Sequence, residues 1–362
     1  MHRRISVAEP EERLAVLLRL FPETAEGDRL RPVLIPTSDQ DVQLVLDHAE
    51  ELSRHYTMQG SYRDGTAARV LSKDSFYELC SAQGVTYPAV WKSSRENLLG
   101  LLPDIHFPCI IKPTRIHEIK HEMRGHKVWI AQDAEGFRRE AERIPASAGT
   151  LLVQQMIPGP ESAITLCCLH MDRRGLPRHV FTARKLRQYP PGFGSASLVE
   201  SAPEPETARI SRELLSSIGY SGIAALEFKH HPETGKLNLI EVNVRPSLWF
   251  ALSEAAGRPT VLSAFWELAG RDDAVQERSQ VQGVRWRYFS KDLASTLFYR
   301  THSDFVLPPP EIPKRGGVSG KVDAVFALRD PIPVIGELLN IATKFVSRTA
   351  ATGSAFRKWM RI

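Results

Sequence analysis

Two spacings of apolar residues, every second position or every third to fourth, take turns along the chain and outline its elements. "RPVLIPTSDQDVQLVLDHAEEL" reads as a short buried strand at Val33–Ile35, a turn and an amphipathic helix, one βα unit of a parallel sheet. The preceding "MHRRISVAEPEERLAVLLRLF" offers helix but neither an opening strand nor a glycine turn. A helix starting at Lys73, "KDSFYELCSAQG", is closed by Gly84. "FPCIIKPT" predicts a strand at Cys109–Lys112 stopped by Pro113, "HKVWIAQ" a second, and "TLLVQQMI" a third, broken by "PGPE". Asp133 is placed to cap the helix "AEGFRREAERI".

After that break the rhythm changes to long antiparallel strands. "SAITLCCLHM" and "RHVFTARKLRQY" flank the turn "DRRGLP", and "GIAALEFKHH" and "KLNLIEVNVRP" flank "PETG". Helices are expected in "ARISRELLSSIG", "PSLWFALSEAAG" and "TVLSAFWELAG". "PPGFGSAS" reads as a flexible loop, and the chain from Asp272 onward as irregular, with "LPPPEIPKRGG" linker-like.

Composition adds limits. The 362 residues suffice for two or three lobes, and 42% hydrophobic with 25% charged residues is ordinary for a soluble globular protein. No apolar run approaches the ~20 residues of a membrane span, and the basic opening lacks the apolar core of a secretory signal. Cys80, Cys109, Cys167 and Cys168 have no CxxC spacing and are expected as buried, reduced thiols, which suits a cytoplasmic protein. The net charge of +5 thickens toward "KFVSRTAATGSAFRKWMRI", a tail that reads as solvated, with contact to an anionic surface as the other reading. Aromatic residues are not interleaved with the basic ones elsewhere, so nucleic acid is not an expected partner.

The strongest chemical signal lies in the second hairpin. Glu241 and Asn243 are two apart on one strand and share a face, and the turn brings Glu227 beside them at a similar height. Two carboxylates and an amide oxygen make an oxygen-only site suited to Mg²⁺ rather than zinc. Arg245 faces the same way and can hold a phosphate with two hydrogen bonds. "IHEIKHEMRGH" fits the HExxH zinc pattern through His117, Glu118 and His121, but the segment has no apolar far face, and Gly125 and His126 are one position out of register for the extended form. Zinc is therefore not expected. An electropositive cover built from Arg115, His117, Lys120, His121, Arg124 and Lys127 is the better reading.

"KDSFYEL", "IIKP", "QQMIPGPE", "EFK" and "EVNVRP", in this order, resemble the motifs of the ATP-grasp superfamily, and in particular its carboxylate–amine ligase branch of the D-aspartate ligase type. The resemblance covers about Arg31 to Gly270 and implies an α/β (α+β) ATP-grasp fold. Its lobes would be a partial N-terminal pre-ATP-grasp lobe at 1–70, either truncated relative to the family or starting its sheet at "PVLIP", and a small lobe with a phosphate lid at 71–157. A lobe with the metal site would follow at 158–271, then a C-terminal extension with a basic tail at 272–362. It implies that Lys112 and Lys73 reach ATP, that Gln154, Gln155, Met156 and Ile157 form the adenine hinge, and that Glu161 binds the ribose. Glu227, Glu241 and Asn243 would hold Mg²⁺, with Mn²⁺ as a substitute. Arg184, Lys185 and Arg187 alternate along one strand, and Lys185 and Arg187 join Arg245 as the candidate catalytic cations facing an acyl phosphate. The implied reaction phosphorylates a carboxylate and joins it to an amine, the substrates being small molecules such as amino acids or cell-envelope precursors, with a homodimer allowed. Carboxylase or carbamoyl-phosphate chemistry and a silent ATP-binding regulator are the rival readings.

Overall fold

The computed structural model describes residues 7, 10–21, 31–114, 128–271, 275, 278–313, 319–327 and 330–350. Two sheets organise them. A small antiparallel sheet runs β1-β4-β2-β3, from β1 (Val90–Ser94), β2 (Cys109–Pro113), β3 (Trp129–Ala131) and β4 (Thr150–Gln155). A larger sheet runs β11-β10-β7-β6-β5-β8-β9. It is built from β5 (Ile164–Met171), β6 (Pro177–Tyr189), β7 (Ser195–Ser201), β8 (Gly222–His230), β9 (Leu237–Asn243), β10 (Val284–Arg287) and β11 (Gly320–Asp323).

Period-two alternation divides the faces of the small sheet. Cys109 and Ile111 of β2 and Leu151 and Val153 of β4 pack with Phe137 and Ala141 of the helix Ala134–Arg143. Asp133 caps that helix as expected, its carboxylate accepting from the Gly136 amide at 2.7 Å. The alternate residues, Ile110 and Lys112 on β2 and Gln154 on β4, line the cleft between the sheets instead.

All eight residues of the central strand β5 are buried, so both faces of the large sheet are covered. On one face Cys167, Leu169 and Met171 pack with Leu214 and Leu215 of the helix Pro205–Ser217 and with Val42 and Val45 of the N-terminal segment. On the other, Leu166, Cys168, Phe181, Ala183, Ile223 and Ala225 pack with Trp249, Phe250 and Leu252. The four cysteines are free and buried, as expected, and burial pushes the thiols of Cys80, Cys109 and Cys167 up to about 12. Gln59 fastens the N-terminal segment to the hairpin. Its side chain donates to Tyr220 Oη at 3.0 Å and to the Val244 carbonyl at 3.2 Å, and accepts from the Ile223 amide at 3.0 Å. The neighbouring Gly222, at φ +130°, leaves no room for a Cβ, which would lie 2.5 Å from the Gln59 side chain.

Several expectations need correction. Val33 makes only an isolated parallel bridge to Thr57, so Val33–Ile35 adds no strand to either sheet; the helix after it, Asp39–Asp47, forms as expected. The "SAS" of "PPGFGSAS", Ser195–Ser197, is not loop but the start of β7, which pairs antiparallel with β6. The stretch after Asp272 is not irregular: β10 and β11 extend the large sheet beyond β7, and the helices Phe289–Thr301 and Ile332–Ala350 follow them. The HEIKH segment and its cover residues Arg115, His117, Lys120, His121, Arg124 and Lys127 lie outside the described residues. Among the described residues, no helix is long and apolar enough to cross a membrane.

Candidate active site

On the face of the large sheet that packs against Trp249, β6 and β8 turn from apolar to charged as they near the small sheet. Along β6 the same-face residues are Phe181, Ala183 and then Lys185; along β8 they are Ile223, Ala225, Glu227 and then Lys229. The apolar half fixes the strands, and the charged half floors a cleft of about 470 Å³.

The β8–β9 pairing contains an irregularity between Glu227 and Phe228. Phe228 faces Leu239, whereas Glu227 faces Glu241, so Ile240 is the extra residue. A bulge of this kind re-aims side chains locally. Without it Glu227 would stand opposite Ile240 and Glu241 would turn to the other face. With it, both carboxylates enter the cleft.

Glu227 is 7% exposed and is paired with the ammonium of Lys185, which is 3% exposed. Glu241 has no such partner among the hydrogen bonds and ion pairs of the described residues. Its oxygens are reachable through the open cleft, yet protein encloses it on the other sides. Poor hydration there pushes its carboxyl above the usual carboxylate range, and the Glu227 carboxylate pushes it further, against the pull of Lys185 and Lys112. Among the described residues, one ion pair, Lys185 with Glu227, thus stands beside two facing carboxylates, and Lys112 acts on Glu241 only through space. Asn243, two residues beyond Glu241 and opposite Ala225, is 9% exposed and is not among the residues that line the cleft. The two carboxylates are hard oxygen donors of the kind Mg²⁺ prefers.

From the small sheet, Lys112 reaches into the cleft with its ammonium donating to Gln154 Oε1 at 2.7 Å. Gln154, Gln155, Met156 and Ile157 all line the cleft. The amides of Gln155 and Met156 already donate, at 2.9 Å each, to the carbonyls of Ala89 and Pro108. Ile110, Met156 and Leu307 form the apolar end of the cleft, with Phe193 packed against them.

Other expected residues lie elsewhere. Arg187 makes two hydrogen bonds to Asp292 of the helix Phe289–Thr301, at 2.6 and 3.0 Å, and does not line the cleft. Arg245 donates to Asp39 at 2.7 Å and to the Pro246 carbonyl at 3.2 Å, also outside the lining. Glu161 has no exposed surface. It accepts from the amides of Gln188 at 3.0 Å and Gly192 at 2.5 Å, so it fastens the β6–β7 turn rather than facing a ribose. Arg184 pairs with Glu204 at 2.5 Å. Lys73 begins the helix Lys73–Ala82, whose Phe76 and Tyr77 line the cleft, but its side chain lies outside those described.

The structure also adds residues that the sequence reading did not assign. Lys229 lines the cleft, donates to the Gly159 carbonyl at 2.8 Å, and has its ammonium lowered to about 8 by burial, with Glu161 acting the other way. Gln188 and Leu307 line it as well. Lys229 was legible as the residue two beyond Glu227 on the same face. Leu307, inside a proline-rich stretch, had no signal.

No family model matches the chain. It is 25% identical over 244 residues to a D-aspartate ligase of Enterococcus faecium (strain Aus0004), a match covering 64% of this chain and 57% of that protein, so the chain spans little more than half of that relative's length. Among solved structures it resembles the biotin carboxylase domain of Hydrogenobacter thermophilus 2-oxoglutarate carboxylase, crystallised with MgADP and bicarbonate. The TM-score is 0.52 at 15% identity, over 76% of this chain and 60% of that one. A Rhizobium etli pyruvate carboxylase gives a TM-score of 0.53 at 13% identity, over 76% of this chain and 25% of that one.

Proposed function

We propose that this chain, which has the ATP-grasp fold and is carboxylate–amine ligase-like in sequence, joins a small carboxylate to an amine at the expense of ATP. The observation that carries the reading is the pair Glu227 and Glu241, brought face to face in the cleft by the bulge in β8–β9 beside the Lys185 ammonium.

The apolar end at Ile110, Met156 and Leu307 takes the adenine, and the triphosphate runs toward Lys112 and Lys185. Phosphoryl transfer needs charge neutralisation and alignment more than a covalent residue. Glu227 and Glu241 would hold Mg²⁺, or Mn²⁺ in its place, which when bound neutralises the phosphate charge. An oxygen of the substrate carboxylate attacks the γ-phosphorus, forming an acyl phosphate and ADP. The amine nitrogen then attacks the acyl carbon, which expels inorganic phosphate, and the nitrogen loses a proton. Burial holds Lys185 in place for the first transfer, and Lys112 is held by Gln154. We assign this work to the cytoplasm, where ATP is abundant.

The test is ADP release by the purified protein with Mg²⁺ and ATP across pools of carboxylates and amines, beginning with D-aspartate because the relative is named for it. Release is expected only with a carboxylate present and is raised by an amine. Glu241→Gln should abolish it with the fold intact. Release unaffected by that substitution would overturn the site.

A further inference from the structure

We propose that Gln188 is the side chain that reads the ribose hydroxyls of the bound nucleotide, a role that the resemblance implied for Glu161. The inference rests on the cleft being a nucleotide site, and it adds to that reading the residue that tells a ribonucleotide from its deoxy analogue.

Strict alternation along β6 would put Lys185, Arg187 and Tyr189 on one face and Gln188 on the other. The pairing with β7 breaks that count. Lys185 stands opposite Val199 and Arg187 opposite Leu198, so Leu186 is an extra residue, and a second irregularity follows between Arg187 and Gln188. Bulges re-aim the side chains around them. Here Arg187 turns out to Asp292, and Gln188, like Lys185, lines the cleft. The backbone is pinned on both sides of the β6–β7 turn: buried Glu161 accepts from the Gln188 amide at 3.0 Å and from the Gly192 amide at 2.5 Å. Gly192 sits at φ +80°, where a Cβ would lie 2.9 Å from Phe305.

Position along the strand selects the part of the nucleotide. Lys185 and Lys229 both stand opposite Ile164, in the row of the sheet next to Glu227, and mark the phosphate end. Past the turn, Phe193 packs with Ile110, Met156 and Leu307 at the apolar end. Gln188 lies between the two, where the sugar joins the phosphates to the base. Its side chain is 3% exposed and makes no hydrogen bond among the described residues. The other amides of the cleft are engaged: Gln154 Oε1 accepts from Lys112 at 2.7 Å and Gln155 Oε1 from the Ala89 amide at 3.4 Å. An enclosed amide left without a protein partner is completed by what enters the cleft. It brings an acceptor oxygen and two N–H donors. That is the complement of a vicinal diol, in which each hydroxyl both donates and accepts, whereas an ionised phosphate offers acceptors alone.

Calorimetric titration of the full chain with nucleotides, in Mg²⁺ and without a carboxylate substrate, tests this. The wild type is expected to bind ATP about fivefold more tightly than at least one of 2′-deoxy-ATP and 3′-deoxy-ATP, the worth of one hydrogen bond. Gln188→Met, its fold checked by circular dichroism, should bind ATP about fivefold more weakly and that deoxy analogue unchanged, closing the double-mutant cycle on the missing hydroxyl. The wild-type comparison stands without any variant. Equal affinity for ATP and both deoxy analogues would overturn the proposal and leave the nucleotide site intact. A loss in Gln188→Met that is the same for all three nucleotides would overturn it too, making Gln188 a support of the cleft wall. So would a cycle that closes on inosine triphosphate instead, which assigns the amide to the base. Failure of the wild type to bind any of these nucleotides would overturn the reading of the cleft, and this inference with it.

Discussion

Glu241, exposed to the cleft, and Glu267, buried against the same large sheet, are both carboxylates, and their surroundings have opposite effects. Glu267, on the helix Thr260–Leu268, receives His170 Nε2 at 2.9 Å and the Arg173 amide at 3.1 Å. These partners and the nearby positive charge outweigh its burial and hold it below the usual carboxylate range. Glu241 faces another carboxylate across the hairpin, and its carboxyl is held high. An acid whose donors are supplied by the fold acts as a fastening, whereas an acid that faces another carboxylate in an open cleft is the one that a bound cation would favour.

Paired substitutions break that comparison most sharply. Glu241→Gln should cost activity by at least about a hundredfold, on the scale of losing an electrostatic group from a phosphoryl-transfer site, while thermal stability holds or rises because the opposition to Glu227 is relieved. Added Mg²⁺ should raise the melting temperature of the wild type and not of this variant, by linkage to binding. Glu267→Gln should do the reverse, losing about 1–3 kcal/mol of stability with kcat nearly intact, since it removes charge-assisted hydrogen bonds from a buried network. Unfolding curves and ADP-release rates on both variants decide it. If Glu267→Gln proves the more damaging to kcat in a folded protein, the distinction drawn here fails.

Lys185 sharpens the contrast because it belongs to both descriptions. It is buried like a structural group, yet its partner Glu227 lies in the cleft. Lys185→Met strands a buried carboxylate and should cost about 3–5 kcal/mol, with activity lost as well. Bringing in Glu227→Gln on top should recover most of the stability and none of the activity. Recovery of ADP release in the double variant would show that Lys185 serves only the fold.

Much of this arrangement was legible in the sequence, and the reason is local. Glu227, Glu241 and Lys112 sit on strands whose apolar alternation and turns are written in adjacent residues, so their strands, and the small sheet's β2, β3 and β4, follow from spacing alone. What was not legible depends on distant partners. β10 has four residues, "VRWR", and becomes a strand because it pairs with β7 and β11. β7 opens with serines that favour loop on their own and is held by β6. Arg187 and Arg245 carry the right charge for a phosphate, but Asp292 and Asp39, 105 and 206 positions away, take their guanidinium groups. Ion pairing over such separations leaves no mark on spacing. The bulge that brings Glu241 opposite Glu227 is equally silent, since a hairpin counted from its turn would place Ile240 there.

Lys229 gives the smallest expected effect. It lies two residues beyond Glu227 on the same face, and its ammonium is lowered from 10.5 to about 8, chiefly by burial. Because the folded protein binds this proton more weakly than the unfolded chain, the cost of burying the charge is fully present below pH 8. It is relieved as pH rises toward 10.5, so this group makes the fold more stable in alkali. Its contribution to binding runs the other way. If the ammonium helps attract the nucleotide's phosphates, kcat/KM for ATP should fall severalfold as pH passes through about 8, with kcat changing less. Lys229→Met should flatten that limb of the profile while keeping the lower value at neutral pH. The same substitution should remove the alkaline gain in stability. A profile that still bends near pH 8 in the variant would assign the titration to another group and leave Lys229, like Glu267, a fastening of the cleft wall, here to the Gly159 carbonyl.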